Sequence, residues 1–420
     1  MVSTKKILRG LIGCCWCLAS TLWAQNHAFV FGEAASEEEA VRVSAPILYD
    51  AERGFGFEPA ATPRADGGAL GVLREGHPFY FSTRVPEGNY RVRAVLRGGQ
   101  RPGNVTVRAE LRRLMIENQS LTPGEQRTVE FVVNTRRPEI TGGPVVRLKP
   151  REKAEEAWAW DDKLTLEFAG ENAALTELSI QPVDTISVVY LLGDSTVADQ
   201  PREPYASWGQ MLTRFFAPSV VVANHAESGE SLDSSKSAQR LAKVTSLLRP
   251  GDWVLVQFGH NDQKGVTAEA FGATLREYVA AIREKGARPV IITSMHRRNF
   301  DEAGRVVDTH RDFPPTARAV AAELSVPLID LHAMSAPLYE ALGPERSGLA
   351  FKEGDRTHHN AYGAYQLAKC VAEGIRQSLP ELAAHLSPDF SGYNPATPDD
   401  PDAFFLPASP GGIGAKPDGS

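Results

Sequence analysis

The chain has 420 residues, 42% of them hydrophobic, with 45 Lys+Arg against 52 Asp+Glu and a formal net charge of −7. This length exceeds a single ordinary core and implies two domains, and the apolar fraction is that of a globular protein. The acidic balance lacks the basic surplus of a nucleic-acid binder, so no nucleic-acid partner is expected.

Residues 1–24 have the three parts of a secretory signal: Lys5, Lys6 and Arg9, an apolar stretch over 11–23, and Ala24 before a polar residue. The stretch is too short for a secure membrane span. Leu11-Ile12-Gly13-Cys14 has a faint likeness to a lipoprotein cleavage box. The hydrophobic run follows Cys14 instead of preceding it, which favours soluble export to the periplasm or beyond. Loss of this segment removes three basic residues and leaves the remainder more acidic. Cys14, Cys15 and Cys17 lie within it, so Cys370 is left alone and no internal disulfide is expected.

Residues 25–184 read as a β domain. Residues 90–97 mostly alternate apolar with arginine, and Val105, Val107, Ala109 and Leu111 keep the two-residue period. Leu164, Leu166 and Phe168, then Leu178 and Ile180, repeat it. Turns such as Pro86-Glu87-Gly88-Asn89 and Thr122-Pro123-Gly124 punctuate the runs, predicting a β-sandwich or jelly roll. Trp158 and Trp160 invite a sugar-stacking role, but Trp160 directly precedes a strand and core packing is the better reading. The charged run 151–162 reads as a solvated loop or short helix.

From residue 185 to 387 the rhythm becomes strand, loop, helix. Strands are predicted at 187–192, 219–224, 253–258, 288–292 and 326–330. Helices are predicted at 208–216, 237–248, 268–285, 316–323 and 361–378. Five strands alternating with helices imply an α/β fold with a parallel sheet in three layers. The tail, 388–420, is rich in proline, glycine and aspartate and predicts little regular structure, with Phe404, Phe405 and Leu406 as anchors.

The chemistry collects at the ends of these strands. Gly193-Asp194-Ser195-Thr196 follows the first, where open α/β sheets bind ligands. A serine needs a base to remove its proton and a third group to orient that base. Asp355 and His358, three residues apart, can supply both from one turn. After the second strand, Gly229 can bring its backbone N–H close to a reacting oxygen, and after the third, Asn261 can offer a side-chain amide. Each such donor is typically worth ~10²–10³ in rate for acyl transfer.

Gly-Asp-Ser, Gly229, Gly259-His260-Asn261-Asp262 and Asp355-x-x-His358, in that order, resemble the SGNH (GDSL-like) hydrolase superfamily. More closely the chain resembles the rhamnogalacturonan acetylesterase family over roughly 186–385. The supporting details are Thr196, Trp208-Gly209, Asn224-x-Ala226-x-x-Gly229-x-Ser231, Arg297-Arg298-x-Phe300 and Thr357-His358-x-Asn360-x-x-Gly363. The resemblance implies a flavodoxin-like catalytic domain, preceded by a carbohydrate-binding-like β domain. It implies Ser195 as nucleophile, Asp355 and His358 as the rest of a triad, and an oxyanion hole from Ser195, Gly229 and Asn261. It also implies an acetylated polysaccharide substrate, rhamnogalacturonan, from which an exported enzyme would release acetate.

No cofactor is expected. The pair His358-His359 and His260 suggest a metal, but no companion carboxylate or cysteine stands at a ligand spacing. Galacturonate carboxylates call for local positive charge, for which Arg297 and Arg298 are the candidates, with salt bridges inside the fold as the competing role. Arg202, Lys264 and Arg356 are weaker ones on the same rim. Other acetylated glycans (xylan, sialic acid) or lipid esters are the second reading, although no apolar lid is evident. A glycan-binding protein with a vestigial hydrolase is the third, and the intact site set argues against it. Oligomeric state is left open.

Overall fold

Period-two patterning folds the first half into two mostly antiparallel sheets. One runs in the order Val41–Val43, His27–Phe31, Ala173–Pro182, Gly88–Gly98, Gln126–Thr135, with Val72–Leu73 also paired to Ala173–Pro182. The other runs Phe55–Phe57, Phe79–Arg84, Lys163–Glu171, Gly103–Ala109, Arg113–Leu121. This computed structural model describes residues 27–33, 40–63, 70–410 and 417–418. The export-signal reading, with Cys14, Cys15 and Cys17, falls outside the described residues.

The inward faces of both sheets merge into one core. Tyr90, Val92, Ala94 and Leu96 point into it from one strand while Arg91 and Arg93 point away. Phe81 sits at its centre, with ring centroids 4.9, 5.2 and 5.3 Å from Phe29, Phe31 and Phe57, all steeply inclined. Such edge-to-face contacts add to the burial of each ring. Trp160 is buried with Leu111, Val146 and Ala159, and Trp158 packs edge-on to Tyr80. The charged run 151–162 departs from the solvated reading. It forms two short 3-10 turns, and Glu152, buried, accepts from Trp160 Nε1 and pairs with Arg240.

In the second half, five parallel strands lie in the order Val220–Asn224, Ser187–Gly193, Trp253–Gln257, Arg288–Ile292, Leu328–Ile329. Alternate residues feed opposite faces. Val189, Leu191, Val222 and Leu255 pack against the helices Trp208–Leu212, Leu331–Arg346 and Ala361–Ser378. Val188, Tyr190, Val221 and Val254 pack against Arg240–Leu247, Ala268–Glu284 and Phe313–Glu323. A continuous apolar run in each strand is what burial on both faces requires.

Several elements differ from expectation. The helix predicted at 237–248 is two helices, Leu232–Ser237 and Arg240–Leu247, separated by Gln239 in the left-handed region at φ 68°. The helix Phe313–Glu323 begins three residues early, because Pro314 and Pro315 are compatible with a first turn. The helix Leu331–Arg346 was not anticipated; Pro337, Pro344 and a non-helical Gly343 break its pattern. In the tail Phe404 packs on Tyr362 and Tyr365, whereas Phe405 is exposed. Cys370 is fully buried and burial pushes its thiol pKa up, as suits an inert core residue. Among the described residues no helix is long and apolar enough to cross a membrane.

The two halves share a seam. Leu114 and Val132 of the first half join the two cores of the second. Arg113 pairs with Asp199 at 2.9 Å, and Glu117 accepts from Arg214 at 2.9 Å and from Tyr365 at 2.7 Å.

Candidate active site

The strand Ser187–Gly193 comes first in the parallel sheet yet lies between the second and third. The strand order therefore reverses beside it, and the turn after Gly193 opens at the point where α/β sheets bind ligands. Gly193 permits close packing: a Cβ there would stand 2.8 Å from the Gln257 carbonyl. Asp194 ties the turn, its Oδ1 accepting from Thr196 N at 2.9 Å and Thr196 Oγ1 at 2.7 Å. The Thr196 hydroxyl accepts in turn from Gln257 Nε2 at 2.9 Å, and Gln257 Oε1 from Trp208 Nε1 at 2.7 Å. Burial raises the Asp194 pKa.

This bracing presents Ser195. Its Oγ lies 3.0 Å from His358 Nε2, and His358 Nδ1 lies 2.9 Å from Asp355 Oδ2. A carboxylate only accepts, so Nδ1 carries the ring proton and Nε2 turns a lone pair to the serine hydroxyl. Burial opposes the Asp355 charge, but the His358 ring and the Thr357 and His358 amides hydrogen-bond to it. Together these hold its pKa far below the usual carboxylate range. Tyr205 meets the His358 ring edge-on, with centroids 6.0 Å apart. The next helix, Ala361–Ser378, is fixed by Asn360, whose side chain accepts from Gly363 N at 3.1 Å. His359 points elsewhere, with Nε2 2.8 Å from the Tyr339 hydroxyl.

Two further loops are stitched to this turn. Gln200 Nε2 donates to the Ser195 carbonyl at 2.9 Å and to Ser228 Oγ at 3.2 Å, holding the Gly229 loop beside the serine. Gly229 has φ 77°, a conformation that favours glycine. Asn261 Nδ2 donates to the Glu230 carbonyl at 3.0 Å, which orients the amide and leaves its second N–H for another acceptor. Lys149, from the other half of the chain, reaches the Ser228 carbonyl and lies 3.1 Å from Glu230 Oε1.

All five residues expected at the centre, Ser195, Gly229, Asn261, Asp355 and His358, thus belong to one hydrogen-bonded set of loops. The two arginines expected to grip substrate are engaged in the fold. Arg297 donates to the His260 carbonyl at 3.2 Å, and Arg298 donates to Ser347 Oγ at 3.0 Å and to the Pro344 carbonyl. Arg356 is exposed and donates to Asn299, and Lys264 donates to Asn261 Oδ1 at 3.2 Å. Sequence reasoning missed Gln200, Gln257, Tyr205 and Lys149. Gln257 had a signal, as a polar residue closing an apolar strand; Lys149, contributed by the other half, had none.

A serine with an imidazole at 3.0 Å, itself held by a carboxylate at 2.9 Å, is equipped for acyl transfer. Comparison with known proteins agrees. The GDSL-like Lipase/Acylhydrolase family model matches residues 191–365. Rhamnogalacturonan acetylesterase RhgT of Bacillus subtilis is 42% identical over 217 residues, which are 47% of this chain and 93% of that one. The probable rhamnogalacturonan acetylesterase YesY of the same organism is 34% identical over 45% of this chain and 92% of its own. The uncharacterized esterase YxiM, also from B. subtilis, is 27% identical over 84% of this chain and 91% of that protein. The chain belongs to the GDSL-like lipase/acylhydrolase family, with rhamnogalacturonan acetylesterases among its homologues, and is a carboxylic ester hydrolase.

Proposed function

We propose that this protein is an exported acetylesterase that removes acetyl groups from rhamnogalacturonan through a Ser195–His358–Asp355 triad. The observation that carries the mechanism is the pair of distances, 3.0 Å from Ser195 Oγ to His358 Nε2 and 2.9 Å from His358 Nδ1 to Asp355. His358 takes the serine proton as Oγ attacks the acetyl carbonyl. The amides of Ser195 and Gly229 and the spare N–H of Asn261 receive the developing oxyanion. His358 then protonates the departing sugar hydroxyl. A water deprotonated by the same nitrogen attacks the acetyl-serine, and acetate leaves as the proton returns to Ser195. Asp355, kept ionised by the hydrogen bonds it accepts, stabilises the imidazolium at both stages.

The substrate assignment rests on the homologues, RhgT above all. It is helped by Lys264, exposed beside the Asn261 loop, which puts positive charge where a galacturonate carboxylate next to the acetylated sugar would lie. The test is acetate release from acetylated rhamnogalacturonan and acetylated xylan by the wild type and Ser195→Ala. Release from rhamnogalacturonan by the wild type alone is the expected result. Release only from xylan would replace the substrate, and equal release by Ser195→Ala would overturn the mechanism.

A further inference from the structure

Next to His260 of the Asn261 turn, three donor residues converge, His296, Asp308 and His332, and a fourth, His310, stands at their edge against Asp308 and His260. His296 follows the strand Arg288–Ile292, His332 opens the helix Leu331–Arg346, and Asp308 and His310 come from the loop between. One donor atom from each of His296, Asp308 and His332 lies within 4.8 Å of the others. The His296 and His332 rings have centroids 3.6 Å apart. Asp308 Oδ1 lies 3.2 Å from His332 Nε2 and 3.9 Å from His310 Nδ1.

The proton positions follow from the neighbours. Met295 Sδ has no hydrogen, so His260 Nε2, 3.2 Å away, carries the proton directed at it. His260 Nδ1 is then an acceptor, and His310 Nε2 donates to it at 3.0 Å. That leaves His310 Nδ1 as a lone pair. This atom is buried, in a residue with no exposed surface, and has no hydrogen-bond partner. Ser335 gives its hydroxyl proton to the His332 carbonyl at 3.0 Å, so it accepts from His296 Nδ1 at 3.2 Å, and His296 Nε2 is also a lone pair. Burial lowers the pKa of all three imidazoles, to about 3 for His310 and about 4 for His296, so they stay neutral near pH 7. An orphaned buried lone pair costs stability, and two of these rings already donate their other N–H to an orienting partner, as metal-bound histidines do.

We propose that His296, Asp308, His310 and His332 bind a divalent transition-metal ion of the zinc class. Three imidazoles and one carboxylate suit zinc, cobalt or nickel, and not the all-oxygen shells of calcium or magnesium. Asp308 is 40% exposed and gives the ion a route from solvent. His332 must move its proton from Nε2 to Nδ1 on binding, with no net release. Arg318, which stands 3.4 Å from that Nδ1, retains its two bonds to Asp330 at 2.8 and 3.0 Å. Arg297 and Arg318 oppose the added charge, and Asp308 and Asp330 offset them. The ion pins the loop bearing Asp308 and His310 to the strand end and, through His260, abuts the turn that presents Asn261. Its role is to hold that turn in place, and it takes no part in bond making.

Chelator-treated wild type, Asp308→Asn, His310→Asn and, as a control for stray surface imidazoles, His385→Ala are dialysed against zinc chloride and titrated calorimetrically, with melting followed in parallel. Wild type and His385→Ala take up a single ion per chain and melt higher with zinc. Asp308→Asn, whose partly exposed side chain makes it the gentle variant, and His310→Asn bind at least about tenfold more weakly. No uptake by the wild type, or uptake unaltered in both variants or abolished in His385→Ala, overturns the proposal.

Discussion

Arg113, on the strand Arg113–Leu121 of the first half, places its Nε 2.9 Å from Asp199 Oδ2 in the loop that follows Ser195, and both side chains are almost fully buried. Asp199 also accepts from Asn224 at 2.8 Å, and the same loop carries Gln200, which holds Ser195 and Ser228 together. The β half is therefore a brace for the reactive turn. Arg113→Met leaves a buried carboxylate without its cation and should cost ~3–5 kcal/mol in urea unfolding, with kcat falling as well. Arg113→Met/Asp199→Asn should recover part of both losses, and strict additivity would mean that the pair does not act as a unit.

Asn261 tests the oxyanion proposal separately from the triad. Asn261→Ala should lower kcat ~10²–10³-fold with a small change in KM, since the amide is needed mainly when charge develops on the carbonyl oxygen. Because Asn261 Nδ2 also orients on the Glu230 carbonyl, Asn261→Asp serves as the comparison. It keeps the shape but removes the donors, and should be at least as damaging. A change confined to KM in both variants would assign Asn261 to substrate binding.

For the triad, Asp355→Asn should cut kcat ~10⁴-fold and lower the melting temperature at neutral pH, since the stability tied to the depressed carboxyl is lost. The amide can still accept from the Thr357 and His358 backbone. Facing His358 Nδ1 with its NH₂ group, it favours the tautomer in which Nε2 bears the proton and cannot act as base. The sign for acid stability is also set. The Asp355 pKa is depressed in the folded state, so its contribution is present above the ordinary carboxylate pKa and is lost as pH falls below it. Wild type and variant should converge in stability in strong acid, as read by denaturant unfolding across pH.

The sequence announced its structure unevenly, for physical reasons. The helix Ala361–Ser378 was readable to the residue, because Asn360 caps it and its apolar face keeps a regular period. Leu331–Arg346 was hidden, since Pro337, Gly343 and Pro344 look like breakers although the chain only kinks there. Ser195, Gly229 and Asn261 stood out as candidates because each follows a strand with a continuous apolar run. Lys149 and Arg113 were not, since their relation to the site exists only after two halves pack together. Arg297 and Arg298 looked like substrate ligands because a charge after a strand end points toward the cleft. Both already donate within the fold, Arg297 to the His260 carbonyl and Thr309, Arg298 to Ser347 and the Pro344 carbonyl, which is the competing role the sequence also allowed.

Glu110 offers a pH signature for the seam itself. It lies in the turn between Gly103–Ala109 and Arg113–Leu121, is 5% exposed, and accepts from Thr165 N at 3.0 Å. Burial, partly opposed by Arg113, raises its pKa from 4.5 to about 8, so the folded chain holds a proton here that the unfolded chain has lost. Stability therefore falls as pH rises between 4.5 and about 8, with a slope of up to ~1.4 kcal/mol per unit from this group. Glu110→Gln keeps the acceptor for Thr165 and removes the titration. The stability of the variant minus that of the wild type should accordingly grow from pH 5 to pH 8 in urea titrations at ~1-unit steps. A constant difference would show that Arg113 keeps Glu110 ionised throughout, and the carboxyl would then count as part of the charged brace instead of a neutral one.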